Sequence, residues 1–210
     1  MNARKLRGAL DHEEVQDVLD AEHFAEKRGK KLNTTITIHP KLLADYPLDV
    51  GLWMSGFLNK LRIWCGRCGF GYFNIWVREN YQGDRHEHVH LLLYVPDRQR
   101  QACEEAVRRW LPGESRAVQF GKPELDRTKS GQLSNKALTY LLKQMTPQAQ
   151  FRLWRQVYRE RKCRTTEALV APVLGRRYGL SRSLNQATRA AFWAKPSPSR
   201  ITAAPKAEAA

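Results

Sequence analysis

The sequence predicts an α+β fold in which helices flank a central, mainly antiparallel β-sheet. Residues 33–39, NTTITIH, are rich in β-branched side chains and alternate polar Thr with apolar Ile, which is typical of a strand. Two further strand-like segments, residues 70–80 and 86–96, are separated by the turn-rich YQGDR and therefore form an antiparallel hairpin. Helical patterns between and after these strands give the order β-α-β-β-α-β-α, which favours an α+β fold.

The helices are predicted from the spacing of apolar residues and from their end signals. The first helix stops at glycines before residue 70, and its apolar face consists of Trp53, Phe57, Leu61 and Trp64. Residues 97–112 form an amphipathic helix that ends at Pro112. A short strand, SRAVQF, and a polar loop follow. The next helix, here called the tyrosine helix, runs from the N-cap candidate Ser134 through Met145.

The chain divides into four predicted segments. Residues 1–31 are highly charged and are interpreted as a flexible arm with at most a solvated helix over residues 11–27. Residues 32–147 carry the α+β domain, and residues 148–194 form a basic helical extension. Residues 195–210 are rich in Pro, Ser and Ala and are predicted to be a disordered tail.

Charge and hydropathy limit the class of partner. A total of 36 Lys and Arg against 21 Asp and Glu gives a formal net charge of +15, which favours a polyanionic partner, with nucleic acid ahead of an anionic membrane. Because no long apolar run or secretion signal is found, we expect a cytoplasmic protein without a membrane partner. Four irregularly spaced cysteines do not form a disulfide framework, so reduced thiols are expected.

Three histidines alternate along the second strand of the hairpin, at His86, His88 and His90. Residues two apart in a strand share a face, so the imidazoles point one way while Val89 points towards the core. The sequence therefore predicts a group of imidazoles on the sheet surface opposite the core.

The hairpin register places a carboxylate beside these histidines. If the turn closes between residues 81 and 86, Glu79 lies opposite His88 and Val77 lies opposite His90. Two imidazoles and a carboxylate suit a divalent cation, and nitrogen and oxygen ligands favour Mn²⁺, Mg²⁺, Zn²⁺ or Co²⁺ over a thiolate-seeking ion. We expect Mn²⁺ or Mg²⁺.

One alternative to a metal site is open, and the role of His86 is separate from that of the other two histidines. The strand could simply display its histidines to solvent, where a basic protein grips phosphate. His86, at the turn, is assigned to a bound phosphate or to orienting another ligand rather than to the metal itself.

A second polar group is predicted on the tyrosine helix. In SNKALTYLLKQM, Tyr140, Lys143 and Gln144 fall at i, i+3 and i+4 and share one face. A tyrosine can attack a phosphodiester when a metal polarises the phosphate and a cation such as Lys143 favours the phenolate. The alternative is that Tyr140 packs in the core with its hydroxyl at the surface. Its combination with the histidine strand favours the catalytic interpretation.

HVHLLLYVP followed by YLLK resembles the HUH endonuclease superfamily, which includes rolling-circle replication initiators, relaxases and single-tyrosine transposases. The segment NTTITIH lies where that family has its first strand motif. The family's HUH motif and nucleophile motif are matched here by His88, Val89, His90, Tyr140 and Lys143. The resemblance covers about residues 33–145, and its specificity resides in the combination of motifs.

The resemblance implies an HUH nuclease fold for residues 32–147 and metal-dependent nicking of single-stranded DNA. Such nicking leaves a 5′-phosphotyrosine on the enzyme and a free 3′-OH. The implied partner is single-stranded DNA or a DNA hairpin at an origin or nick site, and a homodimer and host replication proteins are further candidates. The long C-terminal extension favours a replication or mobilisation initiator.

The subclass stays open at the third metal ligand. In the family's replication initiators an acidic residue on the preceding strand takes this place, as Glu79 would here; in its insertion-sequence transposases a glutamine after the tyrosine does, as Gln144 would. The first alternative to an initiator is therefore a single-tyrosine transposase. Two alternatives of other classes are a DNA-binding protein that no longer cuts and a metallophosphoesterase that acts through water.

Three further sequence features are a helix-turn-helix pattern, a basic loop and a pair of cysteines. GRRYGLSRSLNQATR has the Gly-apolar-Ser turn of a helix-turn-helix, and a solvated basic helix is the alternative. The basic loop over residues 121–133, before the tyrosine helix, is either a clamp on the DNA strand or a flexible connection. Residues assigned to DNA contact are Lys122, Arg127, Lys129, Arg176, Arg177 and Arg182. Cys65 and Cys68 could be half of a zinc site or a redox pair, but neither a second CxxC nor a finger-spaced histidine accompanies them.

Overall fold

The computed structural model describes residues 5–80, 87–122, 125–127, 133–135, 138, 141–149 and 170–194. Its helices are α1 (His12–Lys27), α2 (Val50–Arg67), α3 (Arg100–Trp110) and α4 (Gln186–Trp193). Its strands are β1 (Leu6–Arg7), β2 (Thr34–Ile38), β3 (Asn74–Glu79), β4 (His88–Leu93), β5 (Val118–Gly121), β6 (Leu125–Arg127), β7 (Leu133–Asn135), β8 (Val173–Leu174) and β9 (Tyr178–Leu180).

The centre of the fold is a five-stranded sheet in the order β5-β2-β4-β3-β9. Every pairing in it is antiparallel. The prediction of an α+β fold with an antiparallel sheet and flanking helices is therefore confirmed. The histidine strand β4 is the middle strand, so its position is fixed by hydrogen bonds on both sides.

Both faces of the sheet are covered, which explains the unbroken apolar run LLL in β4. One face packs against α2 and α3 through a cluster that includes Met54, Phe57, Val89, Leu91, Leu93 and Val107. The other face packs against α1 and the segment that follows residue 137 through Val18, Phe24, Val77, Leu92, Leu141 and Leu142. The histidines thus lie on a face that is covered, not on the open surface that the sequence predicted.

The predicted helices α2 and α3 are confirmed. The Asp49 side chain caps α2 by accepting a hydrogen bond from the backbone N–H of Leu52. Helix α3 ends just before Pro112, as expected from the missing backbone N–H of proline.

The interpretation of residues 1–31 as a flexible arm is wrong for α1. This helix begins with a capping box between Asp11 and Glu14. Its apolar stripe is buried in the core, at Val15, Val18, Ala21, Phe24 and Ala25. The stripe was missed because its few apolar residues lie among many charged ones.

The helix-turn-helix expected at GRRYGLSRSLNQATR is also wrong. Residues 178–180 form β9, which extends the main sheet beside β3, and α4 begins only after the N-cap Asn185. Gly179 is needed there because a Cβ would lie 2.6 Å from ring atoms of Trp76. Within residues 170–194 the basic extension is therefore part strand and part helix, and β9 is an edge strand of the main sheet.

The start of the tyrosine helix differs from the prediction. The N-cap candidate Ser134 lies in β7, which pairs with β6. Leu138 and Leu141 are helical, and the backbone N–H of Leu142 donates to the carbonyl of Leu138 over 3.0 Å. Most of the extension up to residue 169 and the predicted tail, residues 195–210, lie outside the described residues.

Candidate metal centre

The register predicted for the histidine hairpin is confirmed. Glu79 pairs with His88, and Val77 pairs with His90. The alternation of the two strands therefore puts the carboxylate and both imidazoles on one face of the sheet. His86 lies outside the described residues.

Glu79, His88 and His90 form a compact group of metal-ligating atoms. One ligand atom from each side chain lies within 4.8 Å of the others. His90 Nε2 is 2.9 Å from Glu79 Oε2, and His90 Nδ1 is 3.0 Å from the Thr37 hydroxyl. When Nδ1–H donates to Thr37, Nε2 keeps its lone pair for a cation, so Thr37 can hold the ring in a ligating tautomer.

The group is shielded from solvent. Glu79 is fully buried and His90 is only 5% exposed, while His88 is half-buried. Burial alone raises the pKa of Glu79, but the hydrogen bond to His90 and the charges of His90 and Lys143 outweigh burial and hold this pKa below its ordinary value. Glu79 is therefore a carboxylate at neutral pH, as a metal ligand must be.

Lys143 brings the tyrosine motif to the histidine motif. Its Nζ lies 2.9 Å from Glu79 Oε2, the same oxygen that faces His90. Two sequence patterns that were linked only by a family resemblance therefore meet at one carboxylate. Tyr140, three residues before Lys143, lies outside the described residues.

Gln144 is engaged elsewhere than at the histidines. Its Nε2 donates to the Asn80 carbonyl, and its Oε1 accepts from the Asn80 N–H, both over 3.3 Å. The same Oε1 accepts from Arg177 over 2.6 Å. Of the two candidates for the third ligand, the structure brings Glu79 to the histidine pair and commits Gln144 to hydrogen bonds.

His39 is a neighbour of the group that the sequence interpretation did not single out. Its ring lies edge-on to His88, with the ring centroids 4.3 Å apart. Burial first, and then the nearby His90, lower the pKa of His39, and its Nε2 is buried without a hydrogen-bond partner in the part of the chain that the structure describes. The signal was available, since strand alternation puts His39 on the same face of β2 as Thr37.

The donor set fits a divalent cation. Two imidazole nitrogens and a carboxylate suit Mn²⁺, Mg²⁺, Zn²⁺ and related ions. Glu79 Oε1 is buried and has no hydrogen-bond partner among the described residues, which is unusual for a carboxylate and leaves one oxygen for an ion. Within the described part of the chain, no other group of three such residues has this spacing.

The residues assigned to DNA contact have different environments. Lys122, Arg176 and Arg182 are exposed. Arg127 is in β6, and Lys129 lies outside the described residues. For Arg177 the assignment is wrong, because it is only 2% exposed and its guanidinium binds Gln144 and backbone carbonyls.

The cysteines of the described region are free thiols. Cys65 and Cys103 are buried and Cys68 is half-buried. Burial raises the pKa of both Cys65 and Cys103 to about 12, so neither is a thiolate at neutral pH. This agrees with the prediction of reduced cysteines, of which Cys163 lies outside the described residues.

Comparison of the chain with protein-family models, with curated proteins and with solved structures finds no match. Among the helices that the structure describes, none is both long and apolar enough to cross a membrane.

Proposed function

We propose that this chain is a metal-dependent, sequence-specific endonuclease and strand transferase of the HUH type that acts on single-stranded DNA. In this proposal Tyr140 is the nucleophile, and the chain initiates rolling-circle replication or mobilisation. The observation that carries the proposal is the 2.9 Å contact between Lys143 and Glu79. It joins the lysine of the YLLK motif to the carboxylate of the histidine group.

The proposed metal ligands are Glu79, His88 and His90. A bound Mn²⁺ or Mg²⁺ would act as a Lewis acid that polarises the phosphodiester. The chain contributes the fixed geometry: β3 and β4 hold the three side chains, and Thr37 orients His90. Burial of Glu79 excludes water from the carboxylate and strengthens its attraction for a cation.

The proposed reaction is a transesterification. The Tyr140 oxygen forms a bond to phosphorus, the bond between phosphorus and the 3′ oxygen breaks, and the phenol proton ends on the leaving 3′-OH. Lys143 is assigned to stabilising negative charge on the phenolate or on the reacting phosphate. The product is a 5′-phosphotyrosine, whose energy allows a later 3′-OH to reseal the strand.

Two observations favour this proposal over its rivals. Gln144 is committed to Asn80 and Arg177, so the ligand arrangement of the transposase alternative would require these hydrogen bonds to break. The net charge of +15 supports a nucleic-acid substrate over a small phosphoester.

The test compares wild type, Tyr140→Phe and the control Tyr46→Phe, whose tyrosine is 56% exposed on the surface. Each protein is incubated with Mn²⁺ and a labelled pool of single-stranded DNA that includes the DNA flanking its own gene, and is then run on a denaturing gel. We expect a labelled protein band that disappears with EDTA or Tyr140→Phe and persists in Tyr46→Phe. Cleavage without the band would instead indicate hydrolysis by water, and binding without cleavage would indicate a non-catalytic protein.

A further inference from the structure

Gln144 and Arg177 are two buried polar side chains that bind each other beside the candidate metal centre. They are 0% and 2% exposed, respectively. Arg177 Nη1 donates to Gln144 Oε1 over 2.6 Å and to the Arg78 carbonyl over 3.2 Å. Arg177 Nη2 donates to the Ala171 carbonyl over 2.6 Å. The guanidinium thus connects the C-terminal segment, strand β3 and the segment that carries Lys143.

Gln144 forms hydrogen bonds with Asn80, the residue that follows β3. Its amide donates to the Asn80 carbonyl and accepts from the Asn80 N–H, which imitates the pairing of a neighbouring strand. On its backbone side, the Gln144 carbonyl accepts from the N–H of Leu10 over 2.9 Å. Gln144 is therefore held from three directions, and its side-chain oxygen accepts from both the Asn80 N–H and Arg177.

Two neighbouring contacts tie the same two segments together. Asn80 directly follows Glu79, and Gln144 directly follows Lys143. The Gln144 amide therefore holds the two backbones together one residue away from the contact between Lys143 and Glu79. A shift of one backbone against the other would change the distance between Lys143 and the Glu79 carboxylate.

We propose that Arg177 is a positioning residue for the metal centre. By holding Gln144 against Asn80, it keeps Lys143 in contact with Glu79 and keeps Glu79 turned towards the histidine pair. The inference rests on the proposed function for its metal and extends that function to residues of the C-terminal segment. The catalytic unit consequently includes residues 171–180, beyond the end of the domain predicted from the sequence.

Burial of an arginine side chain costs free energy. A charge loses its hydration on burial, and an apolar residue of similar volume is often as stable or more so. Arg177 is accepted here because three oxygen acceptors surround it. Its retention at this point is understandable if orientation of Gln144, rather than core stability alone, is its role.

The experiment compares Arg177→Met with Arg189→Met. Arg189 is a matched control, because it is also a buried arginine of the C-terminal segment, 8% exposed, and it binds Asp17 and the Leu184 carbonyl instead of the metal centre. Two quantities are measured on the full chain: the affinity for Mn²⁺ by calorimetric titration, and hydrogen exchange of the Asn80 amide in the absence of metal.

We expect Arg177→Met to weaken Mn²⁺ binding by about tenfold, the lower end of the range for residues that support a metal ligand, because Arg177 reaches Glu79 only through Gln144 and Asn80. We also expect faster exchange at Asn80, whose N–H bonds to Gln144. Arg189→Met should leave both within about threefold of wild type, because distant sites act independently. Equal effects of the two substitutions on both measurements, or no effect of Arg177→Met, would overturn the inference.

The two proposals can fail separately. If wild type binds no Mn²⁺, the proposed metal chemistry fails, while exchange at Asn80 still decides whether Arg177 holds Gln144 in place. If Arg177→Met does not fold, Arg177→Lys replaces it, since lysine keeps the buried charge but not the forked geometry that reaches three acceptors. For Arg177→Lys we expect faster exchange at Asn80 and weaker Mn²⁺ binding, both changes being smaller than those expected for Arg177→Met.

Discussion

Replacement of Lys143 by methionine tests the electrostatics of the candidate centre. The ammonium lies 2.9 Å from a carboxylate that is fully buried, while the lysine side chain itself is 22% exposed. Methionine keeps most of the apolar stem of lysine and removes its charge. We expect Lys143→Met to destabilise the metal-free protein and to leave the metal-bound protein close to wild type.

The size of the effect follows from the geometry. Two unit charges at this distance attract by about 6 kcal/mol at an effective dielectric constant of about 20. Dehydration of the ions offsets most of this attraction, and His90 remains as a second partner of Glu79. A net loss of about 1–3 kcal/mol in the free energy of unfolding is expected without metal. A bound cation would take over the neutralisation of Glu79, so most of that loss should disappear.

The assay is urea unfolding of wild type, Lys143→Met and the control Lys60→Met, each with EDTA and with Mn²⁺. Lys60 is exposed on α2, and its substitution should change stability by less than about 0.5 kcal/mol in either condition. An unchanged stability of Lys143→Met in EDTA would refute the electrostatic reasoning. An equal loss in EDTA and in Mn²⁺ would refute the view that Lys143 and the cation neutralise the same carboxylate.

Three further predictions concern other residues. The pKa of Glu79 is lowered on folding from its ordinary value of 4.5, so its ionised form stabilises the fold above that pH, and the stabilisation is lost as the pH falls through the lower, folded-state pKa. Metal-free wild type should therefore lose thermal stability more steeply than Glu79→Gln below about pH 4.5; parallel curves would contradict this. Val18→Ala in α1 should cost about 1.5–3 kcal/mol in urea unfolding because the side chain is fully buried, whereas a flexible arm would give no loss. His39→Phe should keep the packing on His88 and remove a buried nitrogen that has no hydrogen-bond partner among the described residues, so stability should fall by less than about 0.5 kcal/mol. A loss above about 1.5 kcal/mol would show that Nε2 is hydrogen-bonded.

The parts of the site that could be predicted are those fixed by local periodicity. Strand alternation and a short turn placed Glu79 opposite His88, and the structure has this register. Helical spacing gave α2 and α3 in the same way. A period of two or of 3.6 residues is a property of the chain itself, so no tertiary information is needed.

The parts that were missed depend on contacts between distant segments. Arg177 was assigned to DNA because an arginine in a basic stretch has the same sequence signal whether it faces solvent or Gln144. The face of the sheet that carries the histidines was expected to be open, because nothing local shows that α1 packs over it. Gly179 was taken for a turn residue because its role, space for the Trp76 ring, belongs to a neighbouring strand.

The central claim is that Glu79, His88 and His90 together bind one divalent cation. The most direct measurement is calorimetric titration of Mn²⁺ into wild type, His88→Ala and the control His23→Ala, whose histidine is exposed on α1. We predict one site of equal affinity in wild type and His23→Ala and an affinity at least about tenfold lower in His88→Ala. Equal binding by all three proteins, or binding by none, would contradict the account.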